Sequence, residues 1–139
     1  MKILGIDPGT ATTGFGCIEV TDISAISGKG LQVIEWGLIE TSKELLKEER
    51  LEIIFERTLK LIEKFNPDVF VAEYAPGTIK KLITGSGRAN KKEVQLHVRK
   101  ILGNKVKSEK RKKTHFDNAA DALAIAMTHA MKMVEEKTV

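Results

Sequence analysis

Three carboxylates stand where an apolar core would be expected to exclude them. Asp7 closes the run "KILGID" and is followed by Pro8, Gly9 and Thr10, Glu73 closes "VFVAE", and Asp121 lies among alanines in "DNAADALAIA". A carboxylate ending a buried strand projects from the C-terminal edge of a sheet, where open α/β sheets hold their ligands. Two such parallel strands side by side would bring Asp7 and Glu73 together. Like charges that close repel and raise a pKa, whereas a divalent cation between them keeps both ionised. Asp117 and Asn118 precede Asp121 by four and three residues, the spacing that places side chains on one helix face. Each residue also has a plainer use: Asp7 as the turn former of "DPGT", Asp117 or Asn118 as the N-cap of a helix, and His115 as a solvated loop residue. Taken together, hard oxygen donors from strand ends and a helix suit Mg²⁺ or Mn²⁺, since Zn²⁺ would draw on more His and Cys than this chain gathers in one place. Two such ions activate a water and steady the leaving oxygen in phosphodiester hydrolysis. The chemistry these residues suit is that of a metal-dependent nuclease.

The elements that must carry them are legible in the apolar spacing. "KILGID" reads as a buried strand, and "TGFGCIEVT" and "LQVIEWGLIET" as two further strands of a meander turning at "ISGKG". From Lys43 to Phe65 the residues Leu45, Leu46, Leu51, Ile54, Phe55, Leu59, Leu61, Ile62 and Phe65 recur at helical spacing and predict a long amphipathic helix, stopped by "NPD". "VFVAE" follows as a short two-sided apolar run, the pattern of an internal parallel strand. After Pro76 the chain predicts helices: "PGTIKKLIT", a "GSG" break, "NKKEVQLHVRKIL" capped by Asn90 and closed by Gly103, and a last helix "AADALAIAMTHAMKMVEE". Residues 104–113, "NKVKSEKRKK", hold six basic residues without an apolar face and predict a loop. Phe15 is expected in the core of its strand.

The chain has 139 residues and suits one domain spanning 1–139. Cys17, the single cysteine, excludes a disulfide framework or cysteine metal site and suits a reducing cytoplasm. No apolar run is long enough to cross a bilayer, and "MKILGID" opens without a charged leader. Net charge is +4, unevenly spread. Residues 1–73 carry 8 Lys and Arg against 13 Asp and Glu, and residues 74–139 carry 15 against 6. An acidic half beside a basic half suits a protein that gathers cations at one place and phosphates around it.

Three stretches, "ILGIDPGTATTGFG", "IKKLITGSGRANKKEVQ" and "AADALAIAMTHA", resemble the RuvC Holliday junction resolvases, a branch of the ribonuclease H-like fold. "TGSGRA" followed by "K-x-x-V" is the most specific of them, and the likeness covers nearly the whole chain. The fold it implies is α/β, a mixed sheet with a three-stranded antiparallel meander plus a parallel strand, flanked by helices. The activity implied is that of a homodimeric endonuclease nicking two opposed strands of a four-way DNA junction in recombination and repair. It would use Mg²⁺ or Mn²⁺, two ions in all, with a branch-migration helicase as a further partner. Asp7 matches the family's first catalytic acid, Glu73 the second and Asp121 the acid of the final helix. The fourth position, Asp or His in the family, is Asn118 here, which offers a neutral oxygen but no base, so Asp117 or His115 would substitute. The basic residues Lys80, Lys81, Arg88, Lys91 and Lys92, with Lys110, Arg111, Lys112 and Lys113, would neutralise phosphates without reading bases.

One departure stands out. In the family the acid-ending strand leads into a phenylalanine-bearing loop, a long helix and a further strand ending in an "EYTP"-like turn before the basic helix. This chain reads "VFVAEYAPGTIKK", as if those elements had been cut out and two glutamates merged into one. Such a loss implies weaker dimerisation and weaker junction resolution. Other readings are a catalytically impaired junction-binding module and an ATP-binding fragment of the actin type, whose first phosphate loop "GIDPGTATTG" resembles. The small ribonuclease H-like nucleases of ribosomal RNA processing are a further one, against which "TGSGRA" speaks.

Overall fold

A computed structural model describes residues 1–9, 11–21, 30–102 and 113–137, without the side chains of 113–118, 135 and 137. Four strands and four helices follow in the order β1 (Lys2–Asp7), β2 (Thr12–Val20), β3 (Leu31–Glu40), α1 (Lys47–Phe65), β4 (Val69–Val71), α2 (Pro76–Thr84), α3 (Lys91–Leu102) and α4 (Lys113–Lys137). The sheet order is β3-β2-β1-β4. β1 pairs antiparallel with β2, β2 antiparallel with β3, and β1 parallel with β4. The meander plus one parallel strand is thus present, and the helices flank it.

Strand alternation divides the core in two. Ile3, Ile18, Val20, Trp36 and Val71 face α4 and meet Leu123 and Met127 there. Leu4, Ile6, Phe15, Cys17, Ile39 and Phe65 form the opposite layer, covered by the half-buried Ile54, Leu61 and Ile62 of α1. Ile3, Leu4, Ile18, Leu123 and Met127 are completely buried, and each such side chain adds about 1.5–3 kcal/mol relative to exposure. Phe15 is in the core as expected, 8% exposed.

The α4 layer is unusually close to the sheet because both surfaces are small. Gly5 and Gly16 stand opposite each other in the β1–β2 register, and above them α4 brings Ala119, Ala122 and Ala126, none of them exposed. A Cβ on Gly5 would overlap the carbonyl oxygen of Ala122, and one on Gly16 would overlap the side chain of Leu123. Glycine is required at both positions by proximity rather than by backbone conformation.

Several element boundaries differ from those the sequence predicts. α1 starts at Lys47, not Lys43, because Ser42 closes a turn first: its hydroxyl accepts from Glu44 N–H at 3.3 Å and its carbonyl from Leu45 N–H at 3.2 Å. The helix ends at Asn66 in the left-handed region (φ 45°), whose N–H reaches the Ile62 carbonyl at 2.8 Å. β4 stops at Val71 and does not include Glu73. Pro76 opens α2 and holds Ala75 extended (φ −58°, ψ 133°), so residues 72–75 are spent on leaving the sheet. α4 begins at Lys113, so Asp117 and Asn118 lie inside the helix rather than at its cap. The loop expected over 104–113 falls outside the described residues, except that Lys113 is helical.

Candidate active site

Asp7, Gly5 and Ile3 share the α4 face of β1, since side chains alternate along a strand. Gly5 lies under Ala122, so the next residue on that face, Asp7, is carried towards the preceding residue of α4, Asp121. The close approach permitted by the glycine is what brings two acids on different elements together. Their opposition has an electrostatic signature: the Asp7 carboxyl is raised above the ordinary range, first by burial and then by the neighbouring Asp121 charge. The ammonium of Lys91, at the start of α3, acts in the other direction and lies 3.3 Å from Asp121 Oδ2.

The turn that follows Asp7 is held by Thr13, which is fully buried. Its hydroxyl donates to the Gly9 carbonyl at 2.8 Å and accepts from Gly9 N–H at 3.2 Å. The "TGSGRA" stretch serves the other side of the site as a tight connection from α2 to α3. Gly85 adopts φ 87° and donates to the Lys81 carbonyl at 2.8 Å. Ser86 N–H meets the Thr84 hydroxyl at 3.1 Å, and Arg88 N–H meets the Ser86 hydroxyl at 3.3 Å. Asn90 caps α3 as expected, accepting from Glu93 N–H at 2.9 Å. This geometry aims the first residue of α3, Lys91, at Asp121.

Asp7, Glu73, Asp121, Lys80 and Lys91 all line one cleft of about 580 Å³, with Pro8, Tyr74 and Ile79 among its other walls. Glu73 is less closely gathered than the strand-end reading expected. The β1–β4 ladder pairs Ile3 with Val69 and Gly5 with Val71, and the same step would pair Asp7 with Glu73. Pairing ends at Val71, however, and Glu73 is exposed at the rim. Among the described residues no three His, Cys, Asp or Glu side chains converge on one point. The Asp7 and Asp121 pair nevertheless fits a divalent cation, because two mutually repelling hard oxygen donors already draw in the Lys91 ammonium, and a metal ion relieves the same repulsion.

The other basic residues are distributed unequally. Lys81, Arg88 and Lys92 are exposed and do not line the cleft. Lys110, Arg111 and Lys112 lie outside the described residues, as do the side chains of Lys113, His115, Asp117 and Asn118. By position in α4, Asp117 and Asn118 stand one turn before Asp121 on its side of the helix. One participant was not legible in the sequence: Tyr74, whose hydroxyl lies 2.7 Å from Nδ1 of His129. Its phenol is raised by burial and then by Glu136. The partners are 55 residues apart, and no local pattern links them.

Comparison with known proteins shows the family. The family model "Crossover junction endodeoxyribonuclease RuvC" matches residues 3–73 and again 69–129. The two matches overlap on "VFVAE", residues 69–73, the stretch at which the sequence reads as merged. The crossover junction endodeoxyribonuclease RuvC of Thermotoga petrophila is 35% identical over 166 aligned positions, covering 95% of this chain and 93% of that protein. That alignment is longer than the 139-residue chain, so part of the relative has no counterpart here. The RuvC of Treponema denticola is 36% identical, covering 91% of this chain and 83% of its own length. Among solved structures, Thermus thermophilus RuvC in complex with a Holliday junction substrate superposes with a TM-score of 0.79 at 29% identity, covering 98% of this chain and 96% of the other. With its ribonuclease H-like sheet and the acid pair between β1 and α4, the chain belongs to the RuvC family of crossover junction endodeoxyribonucleases.

Proposed function

We propose that this protein is a structure-selective endonuclease that resolves four-way DNA junctions by metal-dependent phosphodiester hydrolysis during recombination and repair. The observation that carries the reading is the opposition of Asp7 and Asp121 across the β1–α4 contact, inside a cleft whose walls also bear Lys80 and Lys91. Asp7, Asp121 and Glu73 would hold Mg²⁺ or Mn²⁺, two ions in all, which would supply Lewis-acid stabilisation of the reacting phosphate. Asp7 and Asp121 set the negative charge inside the cleft, and Glu73 lines it at the rim. Lys80 and Lys91, which line the same cleft, would set the phosphodiester backbone against the acids. Asp117 and Asn118, one helical turn before Asp121 by position in α4, would be the further oxygen donors. Lys81, Arg88 and Lys92, with the basic run Lys110, Arg111, Lys112 and Lys113, neutralise more distant phosphates and give affinity without base sequence.

Paired nicks call for two such sites related by a two-fold axis, so the working form is a homodimer. The shortened segment after Glu73 makes that dimer concentration-dependent and the activity weaker than in relatives that keep the block. The protein acts as a single domain in the cytoplasm, on junctions delivered by a branch-migration helicase. The decisive experiment incubates the protein with a fixed four-way DNA junction and with linear duplex, in Mg²⁺, Mn²⁺ or chelator, beside Asp7→Asn. Paired, metal-dependent nicks at the junction that disappear in the variant support the resolvase. Tight junction binding without nicks in either metal would leave a binding module instead.

A further inference from the structure

We propose that the hydrogen bond between Tyr74 and His129 is a strut that fixes Glu73 relative to the Asp7 and Asp121 pair, making both residues positioning residues for the cleavage reaction. The proposal rests on the nuclease reading above and concerns how one of its three acids is held.

Glu73 needs such a device because the sheet does not hold it. The last β1–β4 pair is Gly5 with Val71, and α2 begins only at Pro76, where Thr78 and Ile79 N–H groups bond the Ala75 carbonyl. Residues 72–75 therefore cross from strand to helix without ladder support, and Glu73 lies in the middle of that crossing. Asp7 and Asp121 have no such freedom, since one is the last residue of a paired strand and the other belongs to a helix packed on two glycines. A site built from two fixed acids and one loose one would lose the geometric precision that catalysis requires.

Tyr74, the next residue after Glu73, supplies the missing anchor. Its side chain is half-buried and packs against the α4 core layer. Its hydroxyl meets His129 Nδ1 at 2.7 Å, and the two rings lie 6.0 Å apart at 49°. His129 is on α4, eight residues beyond Asp121, about 12 Å along the same rigid helix. The strut thus refers the Glu73 segment to the element that already carries Asp121. Its length is set by one hydrogen bond, so Phe at position 74 keeps the ring packing and removes only the tie.

The test uses the full chain as wild type, Tyr74→Phe, Glu73→Gln and the double variant. Mn²⁺ binding to the free protein is followed from the paramagnetic resonance signal of unbound Mn²⁺, junction affinity in chelator, and single-turnover junction cleavage in Mn²⁺. The strut predicts that Tyr74→Phe slows cleavage about tenfold, the scale of one lost hydrogen bond, and weakens Mn²⁺ binding, with junction affinity within about twofold of wild type. It also predicts no further loss of Mn²⁺ binding or cleavage when Tyr74→Phe is added to Glu73→Gln, because the tie acts only through that carboxylate. Wild-type behaviour of Tyr74→Phe, an additional loss in the Glu73→Gln background, or weakened junction binding would each overturn it. The Mn²⁺ measurement decides the cycle even where Glu73→Gln cleaves too slowly to follow. A wild-type protein that neither binds Mn²⁺ nor cleaves junctions would refute the nuclease reading and the strut with it; an active wild type with an unchanged Tyr74→Phe refutes the strut alone.

Discussion

Gly5→Ala tests the claim that closeness of α4 to the sheet makes the site. The added Cβ would overlap the Ala122 carbonyl oxygen and stand 3.0 Å from both Cβ and N of Ala126, against about 3.5–4.0 Å for ordinary carbon contacts. All three atoms belong to the helix backbone or to a side chain with no rotamers, so α4 relieves the overlap only by receding from β1 by about 1 Å. Overpacking of this kind costs about 1–3 kcal/mol, a fall of several degrees in the thermal midpoint of a domain this size. Activity should fall further than stability. The same movement carries Asp121 away from Asp7, and a misplacement near 1 Å costs about a hundredfold in rate. Gly16→Ala is the control. Its Cβ meets Leu123 mainly through the side chain, with Cγ at 2.7 Å, which has other rotamers to adopt, and the backbone N is 3.2 Å away. It should lower the midpoint comparably and cleavage much less. Scanning calorimetry and single-turnover junction cleavage decide the matter: Gly5→Ala with wild-type midpoint and rate, or Gly16→Ala as the more damaging variant for cleavage, would refute the reasoning.

Three other outcomes follow from the same contacts. Asp7 is raised above its ordinary pKa, so its neutral form is favoured in the fold; the stability it adds is complete below the unfolded carboxylate pKa and is lost as pH rises through the higher folded one. Asp7→Asn should therefore raise the thermal midpoint of the metal-free protein at pH 7 and leave it nearly unchanged near pH 3, and a lower midpoint at pH 7 would contradict the assignment. Burial pushes the Cys17 thiol up to about 11, so a disulfide reagent should label it at pH 8 only after denaturant is added; rapid labelling of the native protein would show the α1 layer to be open. Asn90→Ala removes the α3 cap bond to Glu93 N–H and should cost about 1 kcal/mol by urea unfolding, while an unchanged midpoint would mean that another group caps the helix.

Much of this protein is written locally. The continuous apolar run of "KILGID", the partial alternation of "TGFGCIEVT" and "LQVIEWGLIET" and the helical spacing up to Phe65 are enough to predict the meander and the flanking helix, because each is a short-range pattern. α2 runs over the nine residues of "PGTIKKLIT", bounded by Pro76 at its start and Gly85 at its end. The boundaries that moved are those where a single side chain or a neighbouring element intervened, as Ser42 does before α1 and Pro76 after β4. The candidate acids Asp7 and Asp121 were legible as charges out of keeping with their apolar surroundings.

The meeting of those acids in one cleft was not a property of either segment. Asp7 and Asp121 are separated by 114 positions in the chain, and they face each other because Gly5 and Gly16, paired across two strands, leave a hollow that α4 fills. The position of Glu73 at the rim, the Lys91 ammonium on Asp121 and the Tyr74 bond to His129 likewise arise only once sheet and helices have packed. Sequence by itself determined the type and order of the elements, since these depend on spacing along one strand or helix, but not their burial: Leu51, Phe55 and Leu59 belong to the apolar stripe of α1 and stay exposed. The tertiary structure alone decided which charges meet, because the distance between elements is set by the volume of the side chains at their contact.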